Sequence, residues 1–203
     1  MMPMTELNSL FDGWDVNNKL SLKKLRQKCV SLLALCAMCR PSDIVKIKRS
    51  DVTVGKDGAM RLIYFGIKND KDRKEFKIMV RPASNEKRDP VACLTLYMNQ
   101  TEQLTDVNGP LFLSLKPPYE GLGVASISSI LSDTIKEAGL SVRYTPRSFR
   151  TTGASAAIIA GNDPEVTRQI GRWKTREVFY DSYVYPLSEK SFTDKMFTAN
   201  TST

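Results

Sequence analysis

The stretch TPRSFRTTGASAAIIAGNDPEVTRQIGRWKTREVFYDSYVY, residues 145–185, carries more chemical information than any other part of the chain. Thr145-Pro146 is a helix-start signal, because proline in a first helical turn forgoes only a hydrogen bond that the helix could not have made. Arg147 and Arg150 lie three residues apart, so a helix beginning at Pro146 would set both guanidinium groups on one face. The small residues Gly153, Ala154, Ala156, Ala157 and Ala160 suit a helix packed closely against a neighbour. Gly161-Asn162 has the character of a C-cap, and Asp163-Pro164 opens the next helix. Beyond it come Gly171-Arg172-Trp173 and then tyrosines at 180, 183 and 185. Arginines gathered near a tyrosine point to one chemistry above others, the attack of a phenolic oxygen on a phosphodiester.

Composition restricts the alternatives. A chain of 203 residues can bury a proper core. Thirty basic against 22 acidic residues leave a formal charge of +8, which favours a polyanionic partner, nucleic acid ahead of an anionic membrane surface. No apolar run has the length of a bilayer crossing, and the polar N-terminus lacks a signal-peptide pattern, so an intracellular chain without a membrane partner is expected. There is no histidine, which excludes Ser-His-Asp triads, histidine general bases and histidine metal ligands. The four cysteines are 29, 36, 39 and 93. Cys36-x-x-Cys39 has no second CxxC to complete a zinc site and lies inside the apolar run VSLLALCAMC, so reduced, buried core thiols are expected.

Along the chain, residues 1–19 read as an irregular N-terminal linker. Ser21 caps a helix to about Met38, with Leu22, Leu25, Cys29, Leu32, Leu33 and Cys36 at helical spacing and Lys23, Lys24, Arg26 and Lys28 on a solvated face. Pro41 starts a short helix. Residues 52–54, 60–67 and 74–80 alternate as three antiparallel strands, with turns at 55–58 and 69–72. Lys68, Arg73 and Lys74 flank the second turn and concentrate positive charge at a hairpin tip. Asp89-Pro90 opens a helix to about Gln103, Ser126–Ala138 forms another ended by Gly139, and Leu187–Phe197 forms a final one within a C-terminal tail, 187–203. The expected fold is mainly α with a small three-stranded antiparallel sheet, an α+β domain spanning 20–186.

Five segments in order resemble known motifs: LALCAMCRPSDIVKIKRSDV, GIKNDKDRKEFKIMV, TPRSFR, GRW and VFYDSYV. Together they resemble the catalytic domain of the tyrosine recombinases, the phage-integrase-like superfamily that breaks and rejoins DNA. The resemblance implies that fold, double-stranded DNA as partner, no cofactor and no metal. It implies a location with the DNA, in the nucleus of a eukaryote or the nucleoid-containing cytoplasm of a bacterium. It also implies assembly as a tetramer on DNA, with residues 187–203 available to dock between subunits.

The same resemblance assigns roles. A tyrosine attacks the backbone phosphorus and leaves a 3′-phosphotyrosine and a free 5′-hydroxyl. Tyr183 is the favoured nucleophile, because an apolar pair and a short spacer precede its Tyr-Val; Tyr180 is the rival and Tyr185 a third choice. Arg40 and Arg150 hold the non-bridging oxygens in fixed geometry, as guanidinium forks do better than lysine point charges. Asp43 holds Arg40, and Lys68 protonates the leaving oxygen, with Lys71 its rival. Arg147 and Arg172 stand where the family carries histidines, and Trp173 brings an indole N–H able to donate to phosphate. Lys71, Arg73, Lys74 and Lys174 are expected DNA contacts. Arginine donates to phosphate as histidine does but does not accept a proton near neutral pH. A catalytically weakened or inactive DNA-binding module is therefore the alternative to an active recombinase, and a type IB topoisomerase-like relaxing enzyme shares the chemistry.

Overall fold

The computed structural model describes residues 1–65 and 75–184. In chain order the helices are α1 (Met4–Gly13), α2 (Leu22–Cys36), α3 (Pro41–Ile44), α4 (Pro90–Gln100), α5 (Val124–Glu137), α6 (Ser148–Ile159), α7 (Pro164–Gly171) and α8 (Arg176–Phe179). The strands are β1 (Val52–Val54), β2 (Met60–Phe65) and β3 (Glu75–Val80), and a π-type turn covers Tyr180–Val184.

Helix α2 is the axis of the core. The Ser21 hydroxyl accepts the N–H of Lys24 at 3.3 Å and satisfies one of the helix's orphan donors. Its apolar stripe of Leu25, Cys29, Leu32 and Leu33 is no more than 3 % exposed. Helices α4, α5 and α6 pack against it. Gly153 permits the closest approach, since a Cβ there would lie 2.2 Å from the Leu35 carbonyl oxygen. The small residues of α6 thus serve the tight packing expected of them.

Capping works locally as the sequence predicts. Asp89 accepts from the Val91 N–H at 2.8 Å at the head of α4, and Asp163 from the Val166 N–H at 2.9 Å at the head of α7. Helix α6 ends in a Schellman motif: Gly161, at φ 88°, donates to Ile158, and Asn162 donates to Ala157. The sheet runs β1-β2-β3, antiparallel throughout, with Val52 opposite Leu62 and Leu62 opposite Ile78. Val52, Met60, Leu62, Ile78 and Val80 face the core, while Thr53, Lys77 and Met79 face outward. The turn at 69–72, and with it Lys68, Lys71, Arg73 and Lys74, lies outside the described residues, as do Tyr185 and the helix expected at 187–197.

Four expectations are corrected. Residues 1–19 are not irregular: α1 buries Leu7 and Phe11, and the Met2 N–H donates to Thr152 Oγ1 on α6 at 2.8 Å. The Asp12 carboxylate pairs with Arg88, and the Asp12 carbonyl accepts from Lys87 at 2.7 Å, which fastens the end of α1. Of the basic residues of α2, Lys23 is exposed as expected, but the other three do not form a solvated face. Lys28 is fully buried, 2.8 Å from Asn17 Oδ1, Lys24 reaches Glu137 at 2.8 Å, and Arg26 donates to the Leu113 carbonyl at 2.6 Å. Cys36 is exposed at the end of α2, whereas Cys29, Cys39 and Cys93 are buried, all four being free thiols. Finally, α6 begins at Ser148 and not at Pro146. Thr145 and Ser148 close a turn first, with the Ser148 N–H donating to the Thr145 carbonyl at 2.8 Å.

Candidate active site

The site is assembled where the chain leaves α2. Ala37, Met38 and Cys39 are buried, and Met38 takes a left-handed conformation at φ 49°, uncommon for a non-glycine residue. Its carbonyl is the acceptor around which two arginines gather. Arg150 Nη1 on α6 donates to it at 2.8 Å, and Arg172 Nη2 approaches it at 3.5 Å.

Arg40 follows as the N-cap of α3, with Pro41 in the first turn. Asp43 Oδ2 accepts the Arg40 backbone N–H at 2.9 Å and pairs with Arg172 Nη2 at 3.0 Å. The expected bond between Asp43 and Arg40 therefore exists through the main chain, and the guanidinium that Asp43 neutralises belongs to Arg172.

Arg172 arrives there because of an unusual helix end. It stands in the left-handed region at φ 60°, where glycine is the common residue. The Trp173 N–H then donates to the Arg168 carbonyl at 3.1 Å and closes a Schellman turn. A non-glycine residue in this conformation costs roughly 1 kcal/mol, offset here by a nearly buried ion pair, since Arg172 is 7 % exposed.

Arg150 is 6 % exposed, yet its Nη2 has no hydrogen-bond partner among the described residues. Its guanidinium lies 3.8 Å from the centroid of the Trp173 ring, a cation–π stack. Burial, with the charges of Arg40 and Arg172, pulls its pKa down to about 10, partly opposed by Asp43 and Tyr183. Three guanidinium groups thus gather about the Asp43 carboxylate in a partly desolvated space. A buried charged donor left without an acceptor costs more than about 1–3 kcal/mol, so among the described residues Nη2 is a donor open to an outside acceptor.

Tyr183 stands beside this group. Its ring centroid is 5.2 Å from those of Trp173 and Phe179. Burial pushes its hydroxyl above the ordinary tyrosine range, against the pull of Arg150, the neighbouring Trp173 indole, and Arg40. Tyr180 has Arg176 4.9 Å over its ring.

Of the residues singled out in the sequence, Arg40, Asp43, Arg150, Arg172, Trp173 and Tyr183 come together. Arg147 does not. It is exposed at the N-cap of α6. Lys174 is exposed nearby in sequence, and Lys68, Lys71, Arg73 and Lys74 lie outside the described residues. Sequence reasoning missed the Met38 carbonyl, whose left-handed backbone has no residue-type signal. It also missed Gly171, which GRW does offer: a Cβ there would fall 1.7 Å from the Trp173 ring.

Helices packed in this order around one small antiparallel sheet form the fold of tyrosine recombinase catalytic domains. The sequence model described as the Phage integrase family matches residues 2–188, and the chain belongs to that family. XerH site-specific recombinase, solved in a post-cleavage complex with palindromic difH substrate, is similar with a TM-score of 0.71 at 14 % identity, over 96 % of this chain and 52 % of that one. XerA recombinase gives 0.69 at 19 % identity, over 95 % and 64 %. The Tn1549 transposon integrase, in complex with transposon right end DNA, gives 0.63 at 12 %, over 98 % and 65 %. The chain spans between about half and two-thirds of the length of these solved recombinases. No curated protein sequence matches it.

Proposed function

We propose that this chain is the catalytic domain of a site-specific recombinase or integrase that cleaves and rejoins double-stranded DNA through a 3′-phosphotyrosine at Tyr183. The observation that carries the proposal is the buried Nη2 of Arg150, without a hydrogen-bond partner among the described residues, beside Arg40 and Tyr183. Arg150 and Arg40 bind the non-bridging oxygens of the scissile phosphate, whose negative charge grows in the transition state. Asp43 and Arg172 brace the loop that presents Arg40. Tyr183 Oη bonds to phosphorus as the bond to the 5′-oxygen breaks. The phenolic proton passes to solvent, and the 5′-oxygen takes a proton from Lys68. Arg147 and Lys174, together with Lys71, Arg73 and Lys74, contact the flanking duplex, and the active assembly is a homotetramer on two duplexes.

A library of randomised duplexes nicked near every position tests this. A strand that loses a short fragment after cleavage cannot be rejoined, so the covalent adduct accumulates. Adduct mapped to Tyr183 and absent from Tyr183→Phe supports the proposal; adduct on Tyr180 reassigns the nucleophile. Salt-sensitive DNA binding without any adduct supports the second reading, a recombinase-derived binding module. That reading is favoured by one observation: both positions expected to hold histidine are arginines, and one of them is tied to Asp43.

A further inference from the structure

Two cysteines of the core take no part in the site. Cys29 on α2 and Cys93 on α4 are 64 positions apart in the chain, yet their Sγ atoms are 2.9 Å apart. Nonbonded carbon atoms keep about 3.5–4.0 Å, and sulfur is the larger atom, so packing alone does not account for so close an approach. The gap to a bonded pair is under about 1 Å. Both are free thiols, 2 % and 0 % exposed. The Cys93 sulfur also faces the Leu25 carbonyl of α2, but at 3.9 Å, a long and weak contact. Beside the pair, Lys28 is fully buried with its ammonium on Asn17 Oδ1 at 2.8 Å, and its charge acts on both sulfurs.

We propose that Cys29 and Cys93 are an oxidisable pair that forms a disulfide between α2 and α4 when the chain meets a peroxide. The inference is independent of the strand-cleavage reading. The Cys29 thiolate attacks one oxygen of hydrogen peroxide, the O–O bond breaks and hydroxide leaves, which gives a sulfenic acid. The Cys93 sulfur then attacks the sulfenic sulfur. The S–O bond breaks, the hydroxyl group departs with the Cys93 proton as water, and the S–S bond forms. The two thiols together lose two electrons and two protons, and the peroxide becomes two waters. Burial holds the Cys29 thiol well above its usual range, against the pull of Lys28, so thiolate is scarce and the reaction is slow in the folded chain.

The position of the bond decides what it does. The segment it closes runs from the middle of α2 to the first turn of α4 and contains Arg40, Asp43 and all three strands. The crosslink restricts the unfolded chain far more than the folded one, where the helices already touch. It therefore fastens the half of the domain that carries Arg40 and Asp43 without contacting either residue.

The test is oxidation of the folded, DNA-free chain with hydrogen peroxide, followed by unfolding, alkylation with N-ethylmaleimide and mass spectrometry. Cys29 and Cys93 should escape alkylation, and a digest should yield a fragment linking them. The bond should persist in Cys36→Ala, which removes the exposed thiol, and be absent from Cys29→Ala. The oxidised chain should melt about 10 °C higher, a shift that dithiothreitol reverses. Oxidised in urea, the unfolded chain should instead join Cys36 to Cys39, the shortest loop available. Alkylation of both Cys29 and Cys93 after native oxidation, or a native bond through Cys36 or Cys39, overturns the proposal. So does the same mixture of bonds from folded and unfolded chains. The mapped fragment decides the matter even if Cys29→Ala does not fold.

Discussion

Arg49 and Arg150 are the same side chain at nearly the same burial, 8 % and 6 % exposed, and the protein treats them oppositely. Arg49 places Nη1 2.8 Å from Thr101 Oγ1 and Nη2 2.7 Å from the Met98 carbonyl. Arg150 has the Met38 carbonyl on Nη1 and nothing among the described residues on Nη2. Two other cations press on Arg150, whereas the partners of Arg49 are neutral oxygens. A satisfied buried arginine holds structure together. One short of acceptors among the described residues and crowded by like charge is what the proposed phosphate-binding role calls for.

Substitution of both residues should separate the two roles. Arg150→Met is expected to cut adduct formation by about 10²–10³-fold, the usual loss for one preorganised oxyanion donor. Its melting temperature should be unchanged or higher, because a buried charge with an incomplete set of partners is removed. Arg49→Met should do the reverse, losing about 2–3 kcal/mol in urea unfolding while cleaving DNA normally per folded molecule. A fall in stability for Arg150→Met equal to that of Arg49→Met would erase the distinction.

Asp43→Asn probes the one carboxylate in the cluster. It removes the carboxylate paired with the Arg172 guanidinium, whose side chain is 3 % exposed. A loss of about 3 kcal/mol is expected, measured by urea unfolding. Sulfate should then stabilise the wild-type chain, by about 2.7 kcal/mol at a hundredfold excess over its dissociation constant, and the shift should vanish in Arg150→Met. The smallest effect belongs to the far side of α6. Thr152→Val removes the acceptor of the Met2 N–H and should cost about 1 kcal/mol, with no change in sulfate response.

The parts legible in the sequence are those whose causes are local. Ser21, Asp89 and Asp163 announce their helices because a short oxygen-bearing side chain accepts an N–H two or three residues ahead. The hairpin announces itself through alternation around Gly55–Gly58. Helix α1 was hidden because its apolar contribution is two side chains, Leu7 and Phe11, with docking supplied by Asp12 and Met2 from distant partners. Lys28 was misjudged for the same reason: Asn17, outside its own helix, makes its burial tolerable.

The site divides along the same line. Arg40, Arg150 and Tyr183 were identifiable by residue type and order. The destination of Arg172 was not, because it depends on a left-handed backbone that sends the side chain back toward α2. Nor was the exposure of Arg147, which stands at the N-cap of α6.

Charge at the scissile phosphate provides the most direct measurement. Cleavage by wild-type and Arg150→Met chains is compared on a duplex with an ordinary scissile phosphate and on one with a neutral methylphosphonate there. If Arg150 Nη2 serves the phosphate, the substitution costs about 10²–10³-fold on the charged substrate and only a few-fold on the neutral one. An equal penalty on both would contradict the account and return Arg150 to the structural role that Arg49 already fills.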